Sequence, residues 1–403
     1  MKGTAKAALI ATALMSLSSG LGAAEYGPGA SDAEIIVGNI VPYSGPLSLV
    51  STIGKTQAAF FRMINEQGGI NGRKIRYLSY DDAYSPPKTV EQARKLVEND
   101  DAAIVFATAG TPTNAAIAPY LNGKKVPQLF LSSGDSRFND PERWPWTMAW
   151  FPQAELEGRL YAKYILAANP SAKIAILFQK DDFGKNIVKG LRDGLGPKAD
   201  MIVAEAGYEP TDPTVDSQIA LLRQSGADAF MNFSTPRTAA QAIRRIAETG
   251  WKPSIHILAF ASISVGGVLK PAGLENSTGI VSANFLKDPT DPAWADDPGV
   301  KTWRAFMAKY YPEGDLSNAF FSSYAYSVAQ SLVQVLKQSG DKLTRENIMD
   351  QARRLQMTRY DMLLPGIEVT TGPGDYSPIK QMRMMRFDGA RWIYFGEILS
   401  GGK

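Results

Sequence analysis

The strongest constraint in this sequence is an alternation that runs along most of the chain. Short apolar runs of strand length are separated by stretches with helical periodicity. Ile35–Val41 reads as a buried strand, and Ile53, Phe60, Phe61 and Ile64 then share one face of a helix that stops at Gly68-Gly69. Lys74–Tyr80 follows as a strand, and Pro86–Glu98 as a helix whose opening Pro-Pro sits where a missing N–H costs little. Ala102–Phe106 is a strand, Pro112–Leu121 a helix and Pro127–Leu131 another strand. A βαβ series of this kind predicts a parallel sheet with helices on both faces.

A second series repeats the pattern. Helices are expected over Leu156–Ala168, Phe183–Gly194, Val215–Gln224 and Arg237–Thr249, and strands over Lys173–Phe178, Met201–Ala206, Ala227–Asn232 and Ile255–Leu258. Between the two series, Asp140–Gln153 is rich in Pro, Trp and Phe and follows neither period, which suits a crossover between lobes. Phe285–Asp297, with two prolines and four aspartates, suggests a second crossover. Gly299–Tyr311 and Ala319–Lys337 then read as helices, and Met382–Phe387 and Trp392–Glu397 as a hairpin turning at Asp388-Gly389. The expected architecture is α/β, with two doubly wound lobes joined by more than one segment around a cleft. That is the geometry of a hinged ligand trap.

A chain of 403 residues is long enough for two such lobes. The amino terminus reads as an address. Lys2 and Lys6 precede an apolar Ala7–Leu17, and small residues Gly22-Ala23-Ala24 precede Glu25, so residues 1–24 are expected to be a cleaved secretory signal peptide. Eleven residues at 1.5 Å each are too short to anchor in a core of roughly 30 Å. Without the leader the net charge falls from +3 to +1, which gives no electrostatic grip on nucleic acid or an anionic membrane. The absence of cysteine excludes disulfides, thiol nucleophiles, iron–sulfur clusters and the acylated cysteine of a lipoprotein.

Most catalytic signatures are also missing. Gly54-Lys55-Thr56 resembles the tail of a phosphate loop, but Leu49 stands where the first glycine belongs, so an ordinary helix start is expected. Gly27-Pro28-Gly29 precedes the first strand and is no dinucleotide fingerprint. The single histidine, His256, lies in an apolar strand and reads as a satisfied buried residue. Four acidic doublets, Asp81-Asp82, Asp100-Asp101, Asp181-Asp182 and Asp296-Asp297, are expected to cap helices or end loops rather than to bind a metal. No cofactor is expected.

What remains is uncharged and polar. Thr108–Thr113 joins a strand end to a helix start, and Ser132–Ser136 follows the next strand. Both lie at carboxyl ends of expected parallel strands, where open α/β sheets bind ligands. Backbone N–H groups at a helix start, together with Ser and Thr hydroxyls, suit a carboxylate.

The chain resembles the periplasmic substrate-binding proteins of branched-chain amino acid-type ABC transporters. The resemblance is carried by Val37–Pro46 (Val-Gly-Asn-Ile-Val-Pro-Tyr-Ser-Gly-Pro) and by Asn65–Lys74 (Asn-Glu-Gln-Gly-Gly-Ile-Asn-Gly-Arg-Lys). Asp81-Asp82 with Pro87, Ala93–Val97 and Asp181-Asp182-Phe183-Gly184 extend it. It implies two Rossmann-like lobes with three crossovers, here 33–150 plus 286–360 and 151–285 plus 361–403. It also implies a monomeric periplasmic protein that closes on a small solute and feeds ABC permease subunits. A sensor of the same fold, or an exported hydrolase using a cleft aspartate and His256, are the alternatives.

Carried over residue by residue, the family's ligand positions fall at Thr111 beside Gly110, at Gly134 and Ser136, and near Thr235. Arg137 and Arg237 are candidates to hold a carboxylate, and Tyr43, Trp150, Phe151, Phe233 and Phe260 to form an apolar slot. The acid that holds a ligand ammonium in leucine binders belongs near Ala259–Ala261, and none stands there. An aromatic or organic acid, or an amide, is therefore the preferred ligand over an amino acid.

Overall fold

The computed structural model describes residues 24–357 and 359–400. The expected leader, residues 1–24, lies outside these apart from Ala24. Two sheets organise the chain. The first has five parallel strands in the spatial order Lys74–Asp81, Glu34–Val41, Ile104–Phe106, Gln128–Leu131, Thr147–Ala149. The second has seven, in the order Ile202–Tyr208, Ile174–Gln179, Ala229–Phe233, Ile255–Leu258, Val281–Asn284, Gln381–Phe387, Trp392–Ser400. Its first five strands are parallel, and the terminal hairpin adds two antiparallel strands at the edge.

Counted along the chain, the five parallel strands of each sheet stand in the same spatial order, second, first, third, fourth, fifth. Each sheet therefore has a switch point beside its first strand, where the connections leave toward opposite faces and open a crevice at the carboxyl ends. The two crevices face each other across the cleft.

Three passages connect the lobes. The chain leaves the first sheet after Ala149, returns after Asn284, and crosses again between the Arg345–Ala352 helix and Gln381. On the return it builds helices Pro298–Tyr310 and Ala319–Ser339, which pack on the Thr52–Glu66 helix of the first lobe. Phe60 makes edge contacts there with Phe306 and Tyr326, at 6.0 and 5.1 Å between ring centroids. The sequence patterns anticipate most of these elements but miss two strands. Thr147–Ala149 lies inside the aperiodic Asp140–Gln153, and Val281–Asn284 just before the second crossover. Both are buried and only three or four residues long, too short to display a period.

Trp150 sits where the passages meet. Its ring lies edge-on to Phe285 of the second passage at 5.9 Å, to Tyr324 at 5.5 Å, and to Tyr360 of the third at 6.3 Å. Its indole N–H donates to Ser331 Oγ at 2.9 Å, and that oxygen also meets the Tyr360 hydroxyl at 2.7 Å. Trp150 is thus packed in the core where the passages meet and does not line the cavity between the lobes.

The candidate ligand cleft

Between the lobes lies a narrow cavity, partly open to solvent, that both lobes line. The first lobe supplies Leu47, Val50, Ile53, Tyr84, the Ala109–Thr111 loop, the Ser132–Asp135 loop and Phe321. Phe151 comes from the first passage, and Ala154, Glu157, Phe183, Thr235, Pro236, Phe260 and Ala261 from the second lobe. Most of this wall is hydrocarbon, so the few polar groups decide orientation.

Two loops set the polar end. Gly110 precedes the Thr111–Gly123 helix with φ of +98°, and a Cβ there would stand 2.5 Å from the Tyr84 ring. A glycine is required by both the backbone and the space. Thr111 Oγ1 lies 2.8 Å from Ser133 Oγ, and both residues are buried. One hydroxyl spends its hydrogen on the other, which leaves one O–H free to donate. The first-turn N–H groups of Thr111 and Thr113 have no intrahelical acceptor. Together these form a donor cluster suited to an anion.

Tyr84 enters the cleft through a strained turn. Ala83 and Tyr84 both have positive φ, +50° and +59°. Asp81 Oδ1 accepts from Ala83 N at 2.9 Å and Asp82 Oδ1 from Tyr84 N at 2.9 Å. This doublet, expected as a helix cap, instead holds a left-handed turn, and Ser85 occupies the cap position. Asp181 and Asp297 do cap helices, accepting from Phe183 N and Val300 N.

Of the residues singled out from sequence, Gly110, Thr111, Gly134, Thr235, Phe151 and Phe260 line the cavity. Tyr43, Ser136, Arg137, Trp150, Phe233 and Arg237 do not. The Tyr43 hydroxyl is taken by Ser79 Oγ at 2.6 Å. Ser136 Oγ donates to Glu155 Oε1 at 2.8 Å. Arg137 pairs with Asp135 at 2.8 Å and with Asp182 across the lobes. Arg237 is exposed on the Pro236–Glu248 helix, and Phe233 stacks on Tyr161 inside the second lobe. Neither arginine therefore faces the cavity as a free cation. The Thr235 hydroxyl is engaged as well, lying 3.0 Å from the Tyr208 hydroxyl and donating to Gln179 Oε1 at 3.2 Å.

His256 lies outside the cleft. It lines a separate surface hollow beside Trp251 and Glu275, and burial pushes its imidazole down to about 3. Its Nε2 has no hydrogen-bond partner, so the expectation of a satisfied histidine is corrected.

The residue that the sequence reading overlooked is Glu157, in the first turns of the Ala154–Ala168 helix. Its side chain is fully buried and lines the cavity. Oε1 accepts from Phe260 N at 2.8 Å and from the Tyr161 hydroxyl at 2.8 Å, while Oε2 has no partner. Burial pushes the carboxyl up to about 7, against the opposing pull of those two donors. The supporting helix is fixed by close packing. A Cβ on Gly158 would stand 2.2 Å from Ile187 O, and one on Gly190 2.3 Å from Glu155 O. The signal that could have found Glu157 was this pair of glycines, facing each other on consecutive expected helices. Phe183, Phe321 and Tyr84 were also missed, because an aromatic in a βα series reads first as core.

Among the described residues, no helix is long and apolar enough to cross a membrane, and no cluster of His, Asp and Glu is arranged to hold a metal ion.

Comparison with known proteins agrees with this architecture. A family model described as "periplasmic binding protein" matches residues 34–391. A Leu/Ile/Val-binding protein homolog from Brucella abortus (strain 2308) is 24% identical over 331 residues, covering 79% of this chain and 82% of that protein. A branched-chain amino acid ABC transporter protein from Thermus thermophilus with bound valine superposes with a TM-score of 0.81 at 14% identity, covering 92% of this chain and 97% of that one. A solute-binding protein from R. palustris in complex with 4-hydroxybenzoate does so with a TM-score of 0.76 at 17% identity, covering 91% and 96%. The chain belongs to the periplasmic binding protein family.

Proposed function

We propose that this chain is the solute-binding component of an ABC importer. It captures a small carboxylate-bearing solute between its lobes and presents it to membrane permease subunits. The observation that carries this reading is the hydroxyl pair Thr111–Ser133 beside a helix start, in an apolar cavity shared by two hinged lobes. The ligand carboxylate accepts from the free hydroxyl and the first-turn N–H groups, with the helix dipole adding to the attraction. The hydrocarbon part lies against Phe151, Phe183, Phe260 and Phe321.

The test is a thermal-shift panel on the mature protein, residues 25–403. The panel holds leucine, isoleucine, valine and phenylalanine beside benzoate-like, phenylpropenoid and aliphatic acids and short amides. A ligand at 100 times its Kd adds about 2.7 kcal/mol of stability. A shift with any carboxylate, lost in Thr111→Val, supports the reading. Turnover of a bound compound, or shifts only with molecules lacking a carboxylate, would sink it.

A further inference from the structure

We propose that a second cavity, beside the second passage and apart from the cleft, binds a small uncharged aromatic molecule carrying a hydroxyl. Both lobes are needed to form it.

The cavity holds about 210 Å³ and shares no lining residue with the cleft. Phe320 on its wall stands edge-on to Phe260 of the cleft, at 6.1 Å between ring centroids, and the two rings form a partition. An apolar cavity of about 150 Å³ takes benzene, so the space here suits one substituted ring. Most of the wall is hydrocarbon, and the polar ends of its aromatic groups are spent. Trp392 Nε1 donates to Ile263 O at 2.8 Å, and the Tyr394 hydroxyl to Leu286 O at 2.6 Å. The charges on the wall balance as well. Lys287 pairs with Asp297 at 2.8 Å, which leaves the exposed Lys270 against Asp288. An uncharged occupant fits that balance, whereas a charged one gives up hydration in a largely apolar space.

One acceptor stays open. Asp288 Oδ1 takes both the N–H and the hydroxyl of Thr290, at 2.8 and 2.7 Å, and no protein donor among the described residues reaches Oδ2. The ring of a phenol lies against Phe320 and Trp392, and its hydroxyl donates to Asp288.

The cavity stands where the lobes touch. Leu316, Ser317 and Phe320, at the start of the Ala319–Ser339 helix, face Ser264–Gly266 of the second lobe. Ser264 Oγ donates to Ser317 O at 3.3 Å. Two glycines permit the approach. A Cβ on Gly266 would run into the Ser317 side chain, and one on Gly267 would stand 2.6 Å from Leu49 Cδ2. An occupant therefore bridges the lobes, and occupancy and lobe contact favour each other.

The experiment titrates the mature protein, residues 25–403, with 4-ethylphenol, 1-ethyl-4-methylbenzene, 4-ethylbenzoate and 4-ethylbenzylamine. Affinity is read by calorimetry and folding by circular dichroism. The phenol is expected to bind tightest, and a crystal soaked with 4-bromophenol to show bromine density beside Phe320 and Trp392. Ala319→Leu, which fills the cavity, should weaken 4-ethylphenol roughly tenfold or more. Val265→Trp, at the half-buried rim, makes the same test where the first variant fails to fold. Asp288→Ala should cancel a roughly tenfold preference for the phenol over the hydrocarbon. Gly267→Val, aimed at Leu49 and not at the cavity, should weaken 4-ethylphenol roughly fivefold or more by parting the lobes. Bromine density in the cleft alone overturns the proposal. So does tighter binding of a charged probe that Ala319→Leu abolishes, or an affinity that both cavity variants leave unchanged. An unchanged affinity in Gly267→Val strikes out the need for both lobes. None of these readouts requires a solute in the cleft, so failure here leaves the proposed function standing.

Discussion

The carboxyl ends of the two sheets share one strand order and face one cavity, but their polar groups are spent differently. In the first lobe, Thr111 and Ser133 satisfy each other and leave a donor over. In the second, Gln179, Tyr208 and Thr235 form a closed set: Gln179 Oε1 lies within 3.2 Å of both hydroxyls, and Tyr208 OH accepts from Thr235 N at 2.9 Å. Among the polar side chains that this lobe contributes to the cavity lining, Glu157 carries the open oxygen. A preformed donor cluster suits a fixed anion site, whereas a satisfied surface with one open carboxyl suits a lobe that swings in and completes a half-bound ligand. Fold equivalence therefore does not carry functional equivalence from one lobe to the other.

The hinge is the frame on which that comparison depends, and removing it has the largest expected effect. Trp150→Ala empties the meeting point of the three passages and should cost about 3–5 kcal/mol, as large-to-small changes in a core do. Trp150→Phe keeps a ring but drops the bond to Ser331, and should cost about 1 kcal/mol. Chemical denaturation measures both. Equal, negligible losses would return Trp150 to the cleft wall.

Next in size is the stability contribution of Glu157 in the ligand-free protein. Its carboxyl is raised from 4.5 to about 7, so below pH 4.5 it is protonated whether folded or not, and has no effect. Above pH 7 the folded protein carries a penalty of about 3 kcal/mol that the unfolded chain does not. Glu157→Gln removes that penalty. Its stability relative to wild type should move in the variant's favour by about 3 kcal/mol between pH 4.5 and pH 8, followed by urea midpoints. A constant difference across that range would mean Glu157 is already paired.

Thr111→Val against Thr235→Val tests the asymmetry itself. Loss of a hydrogen bond to a charged ligand group costs about 1.5–3 kcal/mol, so Thr111→Val should weaken binding ten- to a hundredfold or more. Thr235→Val should alter affinity less than threefold and instead lower stability, because Tyr208 and Gln179 lose a partner. Calorimetric titration with the panel ligand decides it. Equal losses of affinity would abolish the contrast.

The sequence made some of this legible and hid the rest for identifiable reasons. The βα alternation declares both sheets, and Gly110-Thr111 with Gly134 can be read as loops at strand ends. Polar side chains were harder, because residue type does not say where the hydrogen bonds go. Tyr43, Ser136, Arg137 and Arg237 carry suitable groups, but three are spent on other protein groups and Arg237 turns to solvent. Glu157 was invisible for the converse reason. An acid in the first turn of a helix ordinarily complements the dipole in solvent, whereas here the Phe260 backbone and the Tyr161 hydroxyl, far off in sequence or on the next turn, receive it in the interior.

The smallest expected effect concerns what holds the lobes together. Arg137, on the turn after Gln128–Leu131, reaches across to Asp182 at the start of the Asp182–Leu195 helix, and Gln179 Nε2 donates to the Tyr84 hydroxyl at 3.2 Å. The ion pair is partly exposed, with side chains 33% and 43% accessible, so solvent screens it and about 0.2–1 kcal/mol is the expected contribution. Arg137→Ala is a poor probe, since it would also strand the buried Asp135. Asp182→Asn is cleaner. It should raise the ligand dissociation rate by roughly 1.5- to 5-fold while leaving association unchanged, because the contact forms only once the lobes have met. The wild-type rate should rise toward the variant's as salt is raised from about 0.05 to 0.5 M, where the Debye length shrinks below the scale of the contact's surroundings. Stopped-flow release measured at both salt concentrations separates a closing latch from a bystander pair: an unchanged rate in Asp182→Asn would leave closure to the apolar walls alone.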